Sequence, residues 1–221
     1  MHREMRIIYI ADIHGATGAI GKLPEADLLL TGGDFVTLGD DRAVRSAVTE
    51  IAKRFPAFLG ISGNMDPVTA DAVLAEGRHL LPSSAPLHFN GLSIAGLGGA
   101  NRSPFNTPNE WDESQAARQL EPLQEGAADI LVTHAPPMGS GADKISSGAS
   151  VGSTAIVDAL RRIKPDLLLC GHIHEAAGIY RIDSTIVVNP GPFGDEGRYA
   201  DIRWELGGHP SVWLAKAAPA G

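Results

Sequence analysis

Short apolar runs recur along the chain, and each stops abruptly at polar side chains. The first, Ile7 to Ile10, is rich in β-branched residues and too short for a helix, so it reads as a strand buried on both faces. Asp12 and His14 follow it at once. Leu28-Leu29-Leu30-Thr31 runs into Gly32-Gly33-Asp34, and Ala57 to Ile61 runs into Ser62-Gly63-Asn64-Met65-Asp66. Ile130-Leu131-Val132-Thr133 ends in His134, and Leu167-Leu168-Leu169-Cys170 ends in Gly171-His172-Ile173-His174. Five predicted strands thus finish in side chains able to bind a metal.

Helical periodicity fills the gaps between strands. Val44, Val48, Ile51 and Phe55 share one face after Asp40 or Asp41 as cap, and Pro56 stops the run. A second helix is predicted from Pro67 to about Gly77, with Asp66 as its N-cap. A third, Ser153 to Ile163, buries Ile156, Ala159, Leu160 and Ile163. Alternating strands and helices predict parallel pairing with right-handed crossovers. Leu87 to Ile94 reads instead as a hairpin about Asn90-Gly91, and the tail carries four β-prone runs: 179–182, 185–188, 199–204 and 212–214. The second half is therefore mixed and partly antiparallel. The stretch 96–110, rich in Gly, Pro and Asn, reads as one long loop.

Composition narrows the class. Of 221 residues, 43% are hydrophobic and 20% charged, which describes an ordinary globular chain, and without repeat or linker it reads as one domain over 1–221. Eighteen basic against 26 acidic residues, a formal charge of −8, disfavour nucleic acid or an anionic membrane as partner. One cysteine, Cys170, excludes an internal disulfide framework, and Met-His-Arg-Glu-Met lacks the apolar stretch of a secretory signal; a reducing cytoplasm is the expected location.

Asp-x-His is common by chance, but Gly-His-x-His is expected only about 0.03 times in such a composition. In open α/β sheets ligands collect beyond the carboxyl ends of parallel strands, where all these residues fall. Imidazole, carboxylate and amide donors without thiolate suit Mn, Fe, Zn, Co or Ni ions. Seven donors are too many for one ion and suit two.

With Asp12-x-His14, Gly33-Asp34, Gly63-Asn64-x-Asp66, His134 and Gly171-His172-x-His174 in this order, the sequence resembles the calcineurin-like metallophosphoesterases, and Gly98-Gly99-Ala100-Asn101, Pro104-Phe105-Asn106-Thr107-Pro108 and Asn189-Pro190-Gly191-Pro192 resemble a small single-domain prokaryotic branch of them. The resemblance implies a four-layer α/β/β/α sandwich. It also implies that Asp12, His14, Asp34 and His174 hold one divalent ion and that Asp34, Asn64, His134 and His172 hold a second, Asp34 bridging. A bridging water then attacks phosphorus, with Asn64 and His172 orienting the phosphate. Many members of the family carry histidine where this chain has Met65, and a thioether donates no proton. The leaving-group acid is thus unassigned, and esters that leave with little help, nucleotide-like phosphodiesters before alkyl monoesters, are the expected substrates. The competing expectations are a phosphomonoesterase, a non-catalytic interaction scaffold on the same fold, and a nuclease, the last disfavoured for want of a basic groove. Arg102 and Asn101 are weaker candidates for phosphate contacts, and Asn189-Pro190-Gly191-Pro192 is either a wall of the site or a tight turn.

Overall fold

The computed structural model describes residues 4–205 and 207–217; His2 and its neighbours at the chain start, expected to carry no secretory signal, lie outside them. Thirteen strands are present among the described residues: β1 (Met5–Ile10), β2 (Leu28–Thr31), β3 (Phe58–Gly60), β4 (Leu87–Phe89), β5 (Leu92–Leu97), β6 (Ala100–Asn101), β7 (Glu110–Trp111), β8 (Ile130–Thr133), β9 (Leu167–Leu169), β10 (Gly178–Ile182), β11 (Thr185–Asn189), β12 (Arg198–Trp204) and β13 (Ser211–Lys216). The helices are α1 (Asp41–Arg54), α2 (Ala70–Glu76), α3 (Glu113–Leu120), α4 (Thr154–Ile163) and α5 (Phe193–Glu196), with two 3-10 turns.

Two large sheets form, in the orders β13-β12-β1-β2-β3 and β10-β11-β9-β8-β5-β4. The first sheet is parallel from β1 through β2 to the edge strand β3 and antiparallel from β1 through β12 to β13, whereas the second is parallel at its centre and antiparallel at both margins. The antiparallel tail is divided: β10 and β11 join the second sheet, whereas β12 returns to pair with β1. The predicted hairpin is present, with Asn90 and Gly91 at φ 47 and 89, as a type I′ turn requires.

Continuous apolar strands result because both faces of each sheet are covered. In β1, Ile7 and Tyr9 point between the sheets, meeting Ile130, Val132, Leu167 and Leu169. Ile8 and Ile10 point the other way, towards Val44, Ile51 and Leu74 of α1 and α2. Beyond the second sheet, Leu131 and Leu168 pack on Leu120, Ile156 and Leu160 of α3 and α4. Three cores separating two sheets and two helical layers give the four-layer α/β/β/α arrangement. Each fully buried Leu or Ile contributes about 1.5–3 kcal/mol, so the strands are fixed from both sides and their ends become firm platforms.

Two local expectations change. α2 begins at Ala70 rather than Pro67, and Asp66 is not its cap. Asp66 is wholly buried and accepts from the backbone N–H of Phe35, Val36 and Gly63 at 3.2, 3.0 and 2.8 Å, tying the loop after β2 to the loop after β3. Burial nevertheless pushes its carboxyl up to about 6. The 96–110 stretch is also less irregular than expected, since β5 runs to Leu97 and the short β6 and β7 pair in parallel.

Candidate metal centre

All seven predicted donors emerge from the carboxyl ends of β1, β2, β3, β8 and β9. They come from both sheets and meet where the sheets face each other. The loops after β1 and β2 remain laced together: the N–H groups of Asp12, His14 and Gly15 donate to the carbonyls of Gly33, Asp34 and Phe35 at 3.1, 2.8 and 2.9 Å. The N–H of Gly171 donates to His134 O at 3.0 Å, joining the loops after β8 and β9.

Two compact donor groups result. Asp12, His14 and His174 form one, and Asp12, Asp34 and His134 the other, each with donor atoms within 4.8 Å of one another. His174 Nε2 lies 3.4 Å from Asp12 Oδ1. Asp34 accepts the Met65 N–H on Oδ1 at 2.8 Å, leaving Oδ2 between His134 Nε2 at 3.5 Å and His14 Nε2 at 3.9 Å. His172 is looser: its N–H reaches both Asp12 oxygens at 3.2 Å and its ring stands edge-on to His134 at 5.1 Å, outside both compact groups.

Close packing explains the glycines in these motifs. A Cβ at Gly63 would stand 2.0 Å from Asp34 Oδ1, and one at Gly171 would stand 2.6 Å from Asp12 Oδ2. Neither carboxylate could occupy its place beside a larger residue.

The electrostatics fit a cation. Burial drives the Asp34 carboxyl well above its ordinary range, and the charges of Asp12 and Asp66 add to the effect. Burial opposes the charge on Asp12 too, but the His174 bond and the surrounding imidazoles hold that carboxyl below the usual range. Desolvation lowers His14 and His134, and takes His172 down to about 4, with His134 contributing. His174 is raised by its bond to Asp12. A buried Asp34 that resists ionising beside the Asp12 charge, next to His14, His134 and His172 that resist protonation, forms a set of lone pairs short of positive charge.

The sharpest instance is the pair His134 and Asn64. His134 Nδ1 lies 2.7 Å from Gly32 O, which only accepts, so this nitrogen carries the proton and Nε2 is a bare lone pair. Nε2 faces Asn64 Oδ1 at 2.8 Å, while Asn64 Nδ2 is committed to Thr107 Oγ1 at 2.9 Å. Two acceptors are thus turned on one another in a buried place, an arrangement suited to a shared cation.

A family model for the calcineurin-like phosphoesterase superfamily domain matches residues 5–202. The chain belongs to this superfamily. An uncharacterized protein of Methanocaldococcus jannaschii is 32% identical over 205 residues, covering 87% of this chain and 90% of the relative. Among solved structures, a Thermus thermophilus protein aligns with TM-score 0.72 at 16% identity, over 98% of this chain and all of that one. A dimetal phosphatase from Danio rerio aligns with TM-score 0.58 at 10% identity, over 97% and 99%. These likenesses establish the fold. Membership of the calcineurin-like phosphoesterases supports a metal-dependent hydrolase of phosphoric esters, with divalent ions as cofactor.

Around this phosphoesterase site, Thr37 is a residue with no local signature in sequence. Thr37 Oγ1 meets His14 Nδ1 at 2.9 Å and orients that ring. Asn189, buried in the Asn-Pro-Gly-Pro segment, donates to Ile173 O at 2.8 Å between the two histidines. Phe193 and Gly194 donate to Ala11 O and Asp12 O, both at 2.9 Å, so this segment supports the site from behind. Arg102 is exposed and lies 4.0 Å from Asp112. Asn101 is turned to Val151 O at 3.0 Å. Cys170 is buried, with Sγ 3.5 Å from Val188 O, and burial raises its thiol far above the usual range. No helix among the described residues is long and apolar enough to cross a membrane.

Proposed function

We propose that this protein hydrolyses small phosphodiesters, nucleotide-like ones included, using two divalent ions. One ion is held by Asp12, His14, Asp34 and His174 and the other by Asp34, Asn64, His134 and His172, with Asp34 shared. The observation that carries this reading is the 2.8 Å approach of His134 Nε2 to Asn64 Oδ1, with the outer atom of each side chain already engaged. The position of Asp34 Oδ2 between His134 and His14 supports its shared role. When bound, such ions withdraw charge from phosphoryl oxygens and acidify water.

The protein's own groups do the rest. Asp12 and Asp34 remove two of four positive charges, leaving about +2 to attract a phosphate despite the acidic surface. His172, held near 4 by burial and by His134, stays neutral at pH 7 and offers a lone pair rather than a proton. Asn64 and His172, both members of the second donor set, orient the phosphate. Met65 cannot protonate the departing oxygen, so a leaving group stable as an anion is favoured.

Steady-state hydrolysis of bis(p-nitrophenyl) phosphate and p-nitrophenyl phosphate by Mn²⁺-loaded protein tests this. The diester is expected to turn over faster, and Asp34→Asn to lower kcat by about 10³-fold or more with an unchanged circular dichroism spectrum. A monoesterase without diesterase activity would overturn the substrate assignment. A parent protein that binds metal but turns over neither ester would point to a scaffold.

A further inference from the structure

We propose that Thr107 and Glu110 are positioning residues that fix which end of the Asn64 amide faces the metal pocket; this rests on Asn64 being a metal ligand. Glu110 at the start of β7 accepts the Thr107 hydroxyl on Oε1 at 2.6 Å and the Thr107 N–H at 2.9 Å. It also accepts the Ser103 hydroxyl at 2.7 Å and, on Oε2, the Ser103 N–H at 3.2 Å. Its carboxylate is therefore held in place from four donors. These bonds outweigh the burial that opposes its charge, and the carboxyl sits down at about 2.

The consequence follows from donor counting. A threonine hydroxyl has one proton, and that of Thr107 is given to Glu110. Towards Asn64, Thr107 can only accept, so it takes the amide N–H of Nδ2 at 2.9 Å and turns Oδ1 towards His134. The Asn64 backbone is held independently, since its carbonyl accepts from Asn109 N at 3.1 Å and Asn109 Nδ2 bonds Ser62 Oγ and Gly63 O at 2.9 and 3.1 Å. What Thr107 adds is the sense of the amide. Released from it, the amide gains by turning over, because its NH₂ would then donate to the bare Nε2 of His134, and both donors to the second ion would be consumed by each other. The 103–110 loop thus keeps an unfavourable acceptor pair facing a cation, a positioning role of the kind that supporting hydrogen bonds serve in metal sites.

Mn²⁺ titration by calorimetry, with paramagnetic resonance of the bound ions, reads this without turnover. Thr107→Val, nearly isosteric, is expected to weaken the second ion about 10–100-fold and leave the first unchanged, whereas Thr107→Ser binds both as the parent does. In an Asn64→Asp background, where both ends of the side chain are oxygens, Thr107→Val is expected to change nothing. Thr107→Val binding both ions at parental strength would overturn the proposal, as would Thr107→Ser losing as much as Thr107→Val. An equal loss in the Asn64→Asp background would also overturn it, by showing a general loosening of the loop. A parent that binds no second ion strikes down both this role and the two-ion reading; a parent that binds two ions without hydrolysis strikes down the proposed activity alone.

Discussion

Asp12, His14, Asp34 and His172 hold φ of 56, 47, 52 and 70, in the left-handed region that residues with a side chain usually avoid. Such conformations cost roughly 1 kcal/mol or more each and persist only where the surroundings enforce them. Here four of the seven donors share the strain, and the hydrogen bonds between the loops enforce it. The same loops leave no room at Gly63, whose added Cβ would strike Asp34 N at 2.3 Å as well as its carboxylate. Gly63→Ala is therefore expected to destabilise the protein by about 1–3 kcal/mol and to weaken metal binding through displacement of Asp34. Chemical denaturation and Mn²⁺ titration check the two effects, and retention of both parental values would contradict the packing described. At this scale the donors were legible because each follows an apolar run directly. Thr37, Thr107 and Glu110 were not, since their roles arise from partners 23, 43 and 3 residues away with no shared local pattern.

Among the elements, legibility followed the strength of local signals. α1 follows Asp40, one of the two caps predicted, and α4 follows Ser153, predicted as its first residue; each side chain accepts an N–H of the first turn. α2 was misplaced because Asp66 carries the local marks of a cap while its carboxylate serves two distant loops. α3 escaped notice: it has eight residues and buries only Ala116 and Leu120. Its first residue has a role that sequence could not show. Glu113 reaches the start of α4, accepting from Ala155 N at 2.7 Å, Ser153 Oγ at 2.8 Å and Thr154 Oγ1 at 3.1 Å. Its charge also suits the positive end of that helix. Glu113→Ala is expected to cost about 1–2 kcal/mol without altering metal affinity. Urea unfolding beside Mn²⁺ titration separates the two; unchanged stability would show that α4 needs no cap from α3.

Across the whole molecule, what the chain order concealed is which strand joins which sheet. The alternation of strands and helices announced parallel pairing, but nothing local says that β12 crosses back to β1 while β11 stays beside β9. The four-layer arrangement was legible through resemblance to a family, not through periodicity. It has an energetic consequence. Asp12, His14, Asp34 and Asn64 hang from the first sheet and His134, His172 and His174 from the second, so an ion held between them ties the two sheets across the core that separates them. An ion that binds only the folded protein adds about 2.7 kcal/mol of stability at a hundredfold excess over its Kd. At roughly 2–4 °C per kcal/mol for a chain of this size, Mn²⁺ is expected to raise Tm by about 5–10 °C, and EDTA to reverse the rise. In Asp34→Asn the shift should fall to about half or less, because the residue between the two donor groups then carries no charge. Scanning calorimetry with and without Mn²⁺ decides this. A Tm unmoved by millimolar Mn²⁺ in the parent would mean that the donors, though gathered, do not hold a cation between the sheets.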